Sequence, residues 1–292
     1  MRVLITGAAG QLGQDIQKLL NKKGVEFIAT DYTTFDAFPH IIPLDITNLT
    51  LLRNFLKEER VDVIINCAAY NAVDKAEEDW KTAYLVNGIG VRNLAVVSEE
   101  VGAFLVHFST DYVFDGEKGV PYTIYDEPNP ISKYGESKYL GEKFLMHFSK
   151  RYALIRTSWV FGTGNVNFAK KVIKWSKEKE VLKIVTDEVS VPTYTADLAE
   201  ATWRIVELHA CGLYHVTNSG QCSRYEYAKY ILERIGWKGQ ILPAKQEDFN
   251  LPAKRPRFSV LDNFGFKETV DWEMPDWKNA VDRFLKEEGY FE

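Results

Sequence analysis

One alternation, starting at the second residue, constrains this chain more than anything else in it. Short apolar runs trade places with stretches whose apolar residues fall three and four apart. Arg2–Thr6 is such a run, and residues 11–20 then set Leu12, Ile16, Leu19 and Leu20 along one side of a helix. Residues 25–30 predict a second strand, and 48–58 an amphipathic helix through Leu49, Leu52, Phe55 and Leu56. A third strand over 61–66 is dense in valine and isoleucine; a long helical pattern at 77–101 and the apolar run 103–108 follow. Strands that are apolar on every residue are buried on both faces, and helices between them supply crossover connections. The alternation therefore predicts an α/β fold, a doubly wound parallel sheet with helices on both sides.

The second half is less regular. Residues 131–148 predict a helix, 153–156 a strand, and 166–177 and Thr195–Leu208 further helices, after which proline, tryptophan and charge become denser beyond Gly236. No flexible linker interrupts the chain. With 292 residues, 46% of them hydrophobic and 13% aromatic, it can bury one large core or two modest ones, which excludes disorder. Acidic residues outnumber basic ones by 41 to 36, so a nucleic-acid partner is not expected. No run approaches the roughly 18 apolar residues of a bilayer span, and the opening residues read as strand rather than signal peptide. Cys67, Cys211 and Cys222 are odd in number and widely spaced; they predict reduced thiols, no metal site and a cytoplasmic protein.

Three motifs carry chemistry. Gly7, Gly10, Gln11, Leu12 and Gly13 belong to a G-x-x-G-x-x-G turn between the first strand and the first helix. There a tight backbone and free helix N–H groups suit a dinucleotide pyrophosphate. Asp31 ends the second strand, 18 residues beyond Gly13; an acid in that place accepts ribose hydroxyls and repels a 2′-phosphate. Asp45 and Ile46, after the next apolar run, are expected beside the adenine. The pair Tyr134 and Lys138 sets a phenol and an ammonium one helical turn apart. The same spacing recurs at Tyr139/Lys143 and Tyr225/Lys229, so placement must choose. Tyr134 alone follows, by about two dozen residues, the run ending in Ser109, Thr110, Asp111 and Tyr112, at the carboxyl end of a predicted strand, where open α/β sheets hold ligands. The scattered histidines 107, 147, 209 and 215 read as structural.

Taken together, segments 7–13 (GAAGQLG), 66–77 (NCAAYNAVDKAE), 86–87, 109–116 (STDYVFDG), 134–138 (YGESK), 156–162 (RTSWVFG), 167–170 and 255–261 (RPRFSVL) resemble the extended short-chain dehydrogenase/reductase family. The likeness is greatest to its reductases of nucleotide-linked 4-ketosugars. The resemblance implies a Rossmann-type NAD(P)-binding domain over residues 1–160 and a smaller, partly interleaved substrate-binding lobe over 161–292. It places Thr110, Tyr134 and Lys138 on the catalytic triad, with Tyr134 the proton donor to a dTDP-linked 6-deoxyhexosulose reduced at C4 by NADH or NADPH. Ala68, Ala69 and Tyr70 fall on the segment lining the cofactor. Tyr112 and Trp159 fall beside the sugar, and Asn167 and Arg255 toward the nucleotide diphosphate.

Some members bind magnesium at a dimer interface. Asp15 is an acid in that region, and both a monomer and a homodimer remain compatible with the sequence. Thr110 is followed by Asp111 and then Tyr112, so the acidic pair of the family's dehydratases is incomplete. Two alternatives stay open at this stage: a reductase of another nucleotide ketosugar, as in spore-coat or capsule polysaccharide synthesis, and a non-catalytic NAD(P)-binding regulatory subunit.

Overall fold

Seven strands, all paired in parallel, build the central sheet of the computed structural model, which describes residues 1–164 and 166–290. They are β1 (Arg2–Thr6), β2 (Glu26–Asp31), β3 (Ile42–Pro43), β4 (Val63–Asn66), β5 (Phe104–Thr110), β6 (Tyr152–Thr157) and β7 (Gly212–His215). Their order across the sheet is β7-β6-β5-β4-β1-β2-β3. The order reverses between β1 and β4, so a crevice opens beyond their carboxyl ends.

Side chains alternate across each strand. Val3, Ile5, Val63, Ile65, Phe104 and Val106 pack on one face against α1 (Gln11–Lys23) through Ile16 and Leu20. Leu4, Ile64, Leu105 and Leu154 pack on the other against α2 (Leu49–Glu59). The predicted helix at 77–101 is present but broken: α3 (Trp80–Tyr84) and α4 (Val91–Val101) are joined by a π-helical turn, Leu85–Gly90. Such a turn rotates side chains out of the helical register, and here it brings Asn87 inward. The next helix, α5 (Lys133–Phe148), begins two residues later than predicted because Ser132 accepts the Gly135 N–H at 3.2 Å and caps it.

A second core lies in the later chain. Phe161, Ile173, Leu182, Tyr227, Ile231, Trp277 and Phe284 form one apolar cluster. It is built from α6 (Phe168–Glu178), a parallel strand pair Val181–Val185 and Gln240–Ala244, and two later helices. The chain also returns to the central sheet after residue 161. Leu198 and Trp203 of α7 (Thr195–Leu208) join the first core, and β7 extends the sheet. Beyond it, α8 (Arg224–Arg234) and α10 (Trp277–Glu287) close the second core, while Phe266 and Val270 of α9 (Phe266–Val270) pack on the first. No helix among the described residues is long and apolar enough to cross a membrane.

Candidate active site

The glycine turn closes onto the end of β4. Gly7 has φ +67°, and a Cβ there would stand 2.5 Å from the Ala68 nitrogen; one on Gly13 would stand 2.5 Å from the Gly7 carbonyl oxygen. Only glycine fits such a φ with backbone this close. Gly10 precedes α1 without any side-chain cap, so the N–H groups of the first turn, Gln11 to Gly13, face the crevice. Asp31 is buried at the end of β2, where it accepts the Ala9 N–H at 3.0 Å and the Tyr32 N–H at 2.8 Å. A cavity of about 750 Å³ opens there, lined by Gly7, Gly10, Asp31, Asp45, Ile46 and 68–70 among others. This cradle suits a dinucleotide: a backbone pressed tight enough for a pyrophosphate, an uncapped helix end, and an acid at ribose distance from the turn.

A second cavity of about 370 Å³ shares Gly10, Cys67, Ala68 and Ala69 with the first. Thr110, Tyr112, Tyr134, Lys138 and Trp159 line it. Thr110 ends β5 and caps a short turn, accepting the Tyr112 N–H at 3.1 Å. Helix α5 reaches the turn because Gly135 has no Cβ to strike the Tyr112 carbonyl. Tyr134 and Lys138 follow one turn apart. The ring of Tyr134 meets Tyr112 edge-on at 5.8 Å. Of the three Tyr/Lys pairs only this one lines the cavity: Lys143 lies over Tyr139, and Lys229 reaches toward Glu233 on the surface.

Burial sets the protonation of these groups. It raises the Tyr134 phenol above its ordinary value, as does Asp111, while a hydrogen bond with the Thr110 hydroxyl pulls the other way. Burial lowers Lys138 to about 8, against the pull of Glu142. Its ammonium donates to the Phe108 carbonyl oxygen at 2.6 Å. Desolvation is thus the leading influence on the phenol. Asp111, held by the Ser190 and Ser259 hydroxyls, is raised to about 6, with burial the leading cause.

Two supports hold this wall in place. Asn87 accepts the Tyr70 N–H at 2.8 Å and donates to the Tyr70 carbonyl at 3.0 Å and to Ser137 Oγ at 2.9 Å, so it ties the loop after β4 to α5. Glu142, two turns beyond Tyr134 on the same face of α5, accepts from Nε and Nη2 along one edge of the Arg156 guanidinium at 3.0 and 2.7 Å. Segments 86–87 and 156–162 contain Asn87 and Arg156 but reveal neither role, because the partners lie on other elements.

The remaining predicted residues are distributed unevenly. Trp159 lies on the cavity wall with φ +43°, a strained conformation for an aromatic residue. Arg255 is bound by Asp74 at 2.7 Å and by the Ala253 carbonyl at 2.8 Å. Asn167 caps α6, accepting the Lys170 N–H at 3.1 Å, and donates to the Gly162 carbonyl at 2.8 Å and to Gln11 Oε1, on the cavity lining, at 3.3 Å. Asp15 is buried between the Thr195 hydroxyl and Lys18, and no cluster of three or more His, Cys, Asp or Glu assembles among the described residues. Asp15 is thus held by partners within its own chain. Sequence reasoning missed Arg224, which lines the cavity holding Thr110, Tyr134 and Lys138, and the hydroxyls of Ser109 and Thr157. Both hydroxyls are buried on the cavity lining without a hydrogen-bond partner among the described residues. Residues from three separate elements meet there, which spacing alone does not reveal.

Comparison with known proteins agrees with this architecture. Residues 1–289 match the RmlD substrate binding domain family. The spore coat polysaccharide biosynthesis protein SpsK of Bacillus subtilis is 38% identical, over 98% of this chain and 97% of its own. A crystal structure of a dTDP-4-dehydrorhamnose reductase from Clostridium acetobutylicum superposes with a TM-score of 0.92 at 42% identity, covering 98% of this chain and 99% of that one. A Bacillus anthracis dTDP-4-dehydrorhamnose reductase, solved in complex with NADP, also gives 0.92, at 39% identity and the same coverage. The match spans nearly the whole chain, through both of its cores, and the chain belongs to the RmlD substrate-binding domain family.

Proposed function

We propose that this protein reduces the C4 keto group of dTDP-4-dehydro-6-deoxy-L-mannose to give dTDP-L-rhamnose, with a nicotinamide dinucleotide as the reductant. The observation that carries the reading is the convergence of Thr110, Tyr134 and Lys138 on one cavity that shares its wall with the glycine-turn cradle. Gly7, Gly10, Gln11, Leu12 and Gly13 would hold the pyrophosphate, Asp31 the adenosine ribose, Asp45 and Ile46 the adenine side, and 68–70 the middle of the cofactor. When bound, the dinucleotide supplies a hydride to C4. As the carbonyl π electrons move onto oxygen, Tyr134 donates its phenolic proton to that oxygen. Burial keeps the phenol protonated, the form a proton donor requires. Lys138 carries its charge at neutral pH, stabilises the phenolate that remains and holds the nicotinamide ribose. Thr110 orients the carbonyl. Tyr112 and Trp159 border the sugar, Arg255 flanks the nucleotide end, and Asn167 supports that end by capping α6. On this reading residues 1–160 serve the cofactor and much of 161–292 the nucleotide sugar.

NADH is the better fit. The residues lining the larger cavity include Asp31 and Asp45 and no lysine, arginine or histidine, so a 2′-phosphate would meet only like charge. The free thiols of Cys67, Cys211 and Cys222 suit a reducing compartment, the cytoplasm. A second reading, reduction of a different nucleotide ketosugar, is favoured by the likeness to the spore-coat protein.

The test is NADH and NADPH oxidation against a panel of nucleotide 4-ketosugars. The dTDP-linked substrate should give turnover, faster with NADH, and Tyr134→Phe should lower it by about 10²- to 10⁴-fold with dinucleotide binding retained. Silence with both cofactors across the panel, in protein that binds them, would leave the regulatory-subunit alternative standing instead.

A further inference from the structure

We propose that Arg224 grips the phosphate nearest the sugar in the nucleotide-sugar substrate. The inference rests on the ketosugar-reductase reading of the cavity and adds a residue to it. Arg224 is the first residue of α8, and its side chain enters the cavity lined by Thr110, Tyr134 and Lys138. It is 15% exposed. The guanidinium carbon lies 3.6 Å from the ring centroid of Trp159 and 4.7 Å from that of Phe168, so two aromatic faces hold it.

What the guanidinium does with its donors separates it from the other arginine nearby. Its Nε stands 3.5 Å from Glu188 Oε2, and its two terminal nitrogens have no hydrogen-bond partner among the described residues. Arg255, by contrast, already spends one terminal nitrogen on Asp74 and the other on the Ala253 carbonyl. A guanidinium held by its Nε edge presents a two-pronged edge that matches two oxygens of a phosphate. Between the side chains Glu188 answers Arg224 through that one long contact, while the Arg224 backbone N–H donates to the Glu188 carbonyl at 3.1 Å. A diphosphate arriving beside Trp159 therefore meets a fixed cation whose outer edge is open. The strained φ of Trp159 belongs to the same arrangement, since its ring is the platform under the guanidinium. On sequence alone Arg224 stands in no motif; it enters the site because α8 brings it against Trp159 and Phe168.

The experiment compares dTDP with deoxythymidine as inhibitors of the intact enzyme and its Arg224→Gln variant, with the Michaelis constants for ketosugar and NADH measured in parallel. Loss of one bidentate phosphate contact should weaken dTDP and raise the ketosugar KM by about tenfold or more, with NADH and deoxythymidine changed by less than about twofold. Arg224→Lys, which keeps the charge and loses the fork, should fall between the two; it also serves should Arg224→Gln fail to fold. Equal weakening of dTDP and deoxythymidine would assign Arg224 to packing against Trp159, and unchanged dTDP inhibition would remove it from the site; either result overturns the proposal. Calorimetric titration of dTDP into the same proteins reads the phosphate contact without turnover, so an enzyme inactive on every ketosugar would sink the reductase reading while Arg224 was still judged.

Discussion

Replacing Glu142 with glutamine should both destabilise the protein and move the pH profile of its reaction, through one buried contact. Arg156 and Glu142 are 2% and 0% exposed, joined by two hydrogen bonds of 3.0 and 2.7 Å. Glutamine has nearly the same shape, so no cavity term enters. Its amide can accept one of the two N–H groups and sets an N–H₂ against the other, leaving the guanidinium uncompensated. The nearest other partners of Arg156 are His215 Nε2 at 3.5 Å and the Phe114 ring at 5.1 Å, and neither carries negative charge. Breaking a buried ion pair on one side costs about 3–5 kcal/mol, which for a chain this long corresponds to roughly 6–10 °C in Tm. Glu142 also holds up the pKa of Lys138, four residues before it. With that anion removed Lys138 falls below about 8, and the alkaline limb of kcat/KM moves to lower pH with it. Equilibrium urea unfolding gives the first quantity and a pH profile the second. A loss under about 1 kcal/mol, or a limb that does not move, would refute the reasoning. The double variant Glu142→Leu/Arg156→Met should recover most of the stability, because apolar groups of similar size leave no charge buried.

Three further outcomes follow from the same structure. In the unaltered enzyme kcat/KM for reduction should fall as pH rises through about 8, where Lys138 loses its proton, and Lys138→Arg should carry that limb above the measurable range. His215 is held near 3 by burial and by Arg156. Its folded value lies below the unfolded 6.5, so the stability linked to it is complete above pH 6.5 and drains away as pH falls from there toward 3; His215→Asn should flatten that part of a stability-versus-pH curve. Gly7→Ala meets both a φ of +67° and backbone 2.5 Å away, and should cost about 1–3 kcal/mol and abolish dinucleotide binding, read by fluorescence titration. Retained binding would place the cofactor elsewhere.

How much of this was legible beforehand differs by element. The four early runs at 2–6, 25–30, 61–66 and 103–108 announced themselves because parallel strands buried on both faces are apolar without interruption, and residues 195–208 were legible because nine of the helix's positions are buried. The strands Val181–Val185, Gly212–His215 and Gln240–Ala244 escaped: each is short, and glycine, lysine or proline breaks its pattern. Trp159 could be named from its motif, but its positive φ could not. The resemblance sets Arg255 toward the nucleotide diphosphate, yet its charge is taken up by Asp74, 181 residues earlier in the chain.

What the sequence determined by itself is everything that depends on neighbours along the chain: the βα turn with its obligatory glycines, the face shared by Tyr134, Lys138 and Glu142, and the acid closing β2. Periodicity and turn chemistry act over a few residues, so they can be read there. Tertiary structure alone decided which charges are answered and which stay open. Arg255 closes on Asp74, Asp15 on Thr195 and Lys18, and Arg156 on Glu142, whereas Arg224 keeps its outer edge toward the cavity. The strength and direction of a charge's contacts depend on distance and burial, and both are set by elements that meet only when the chain has folded.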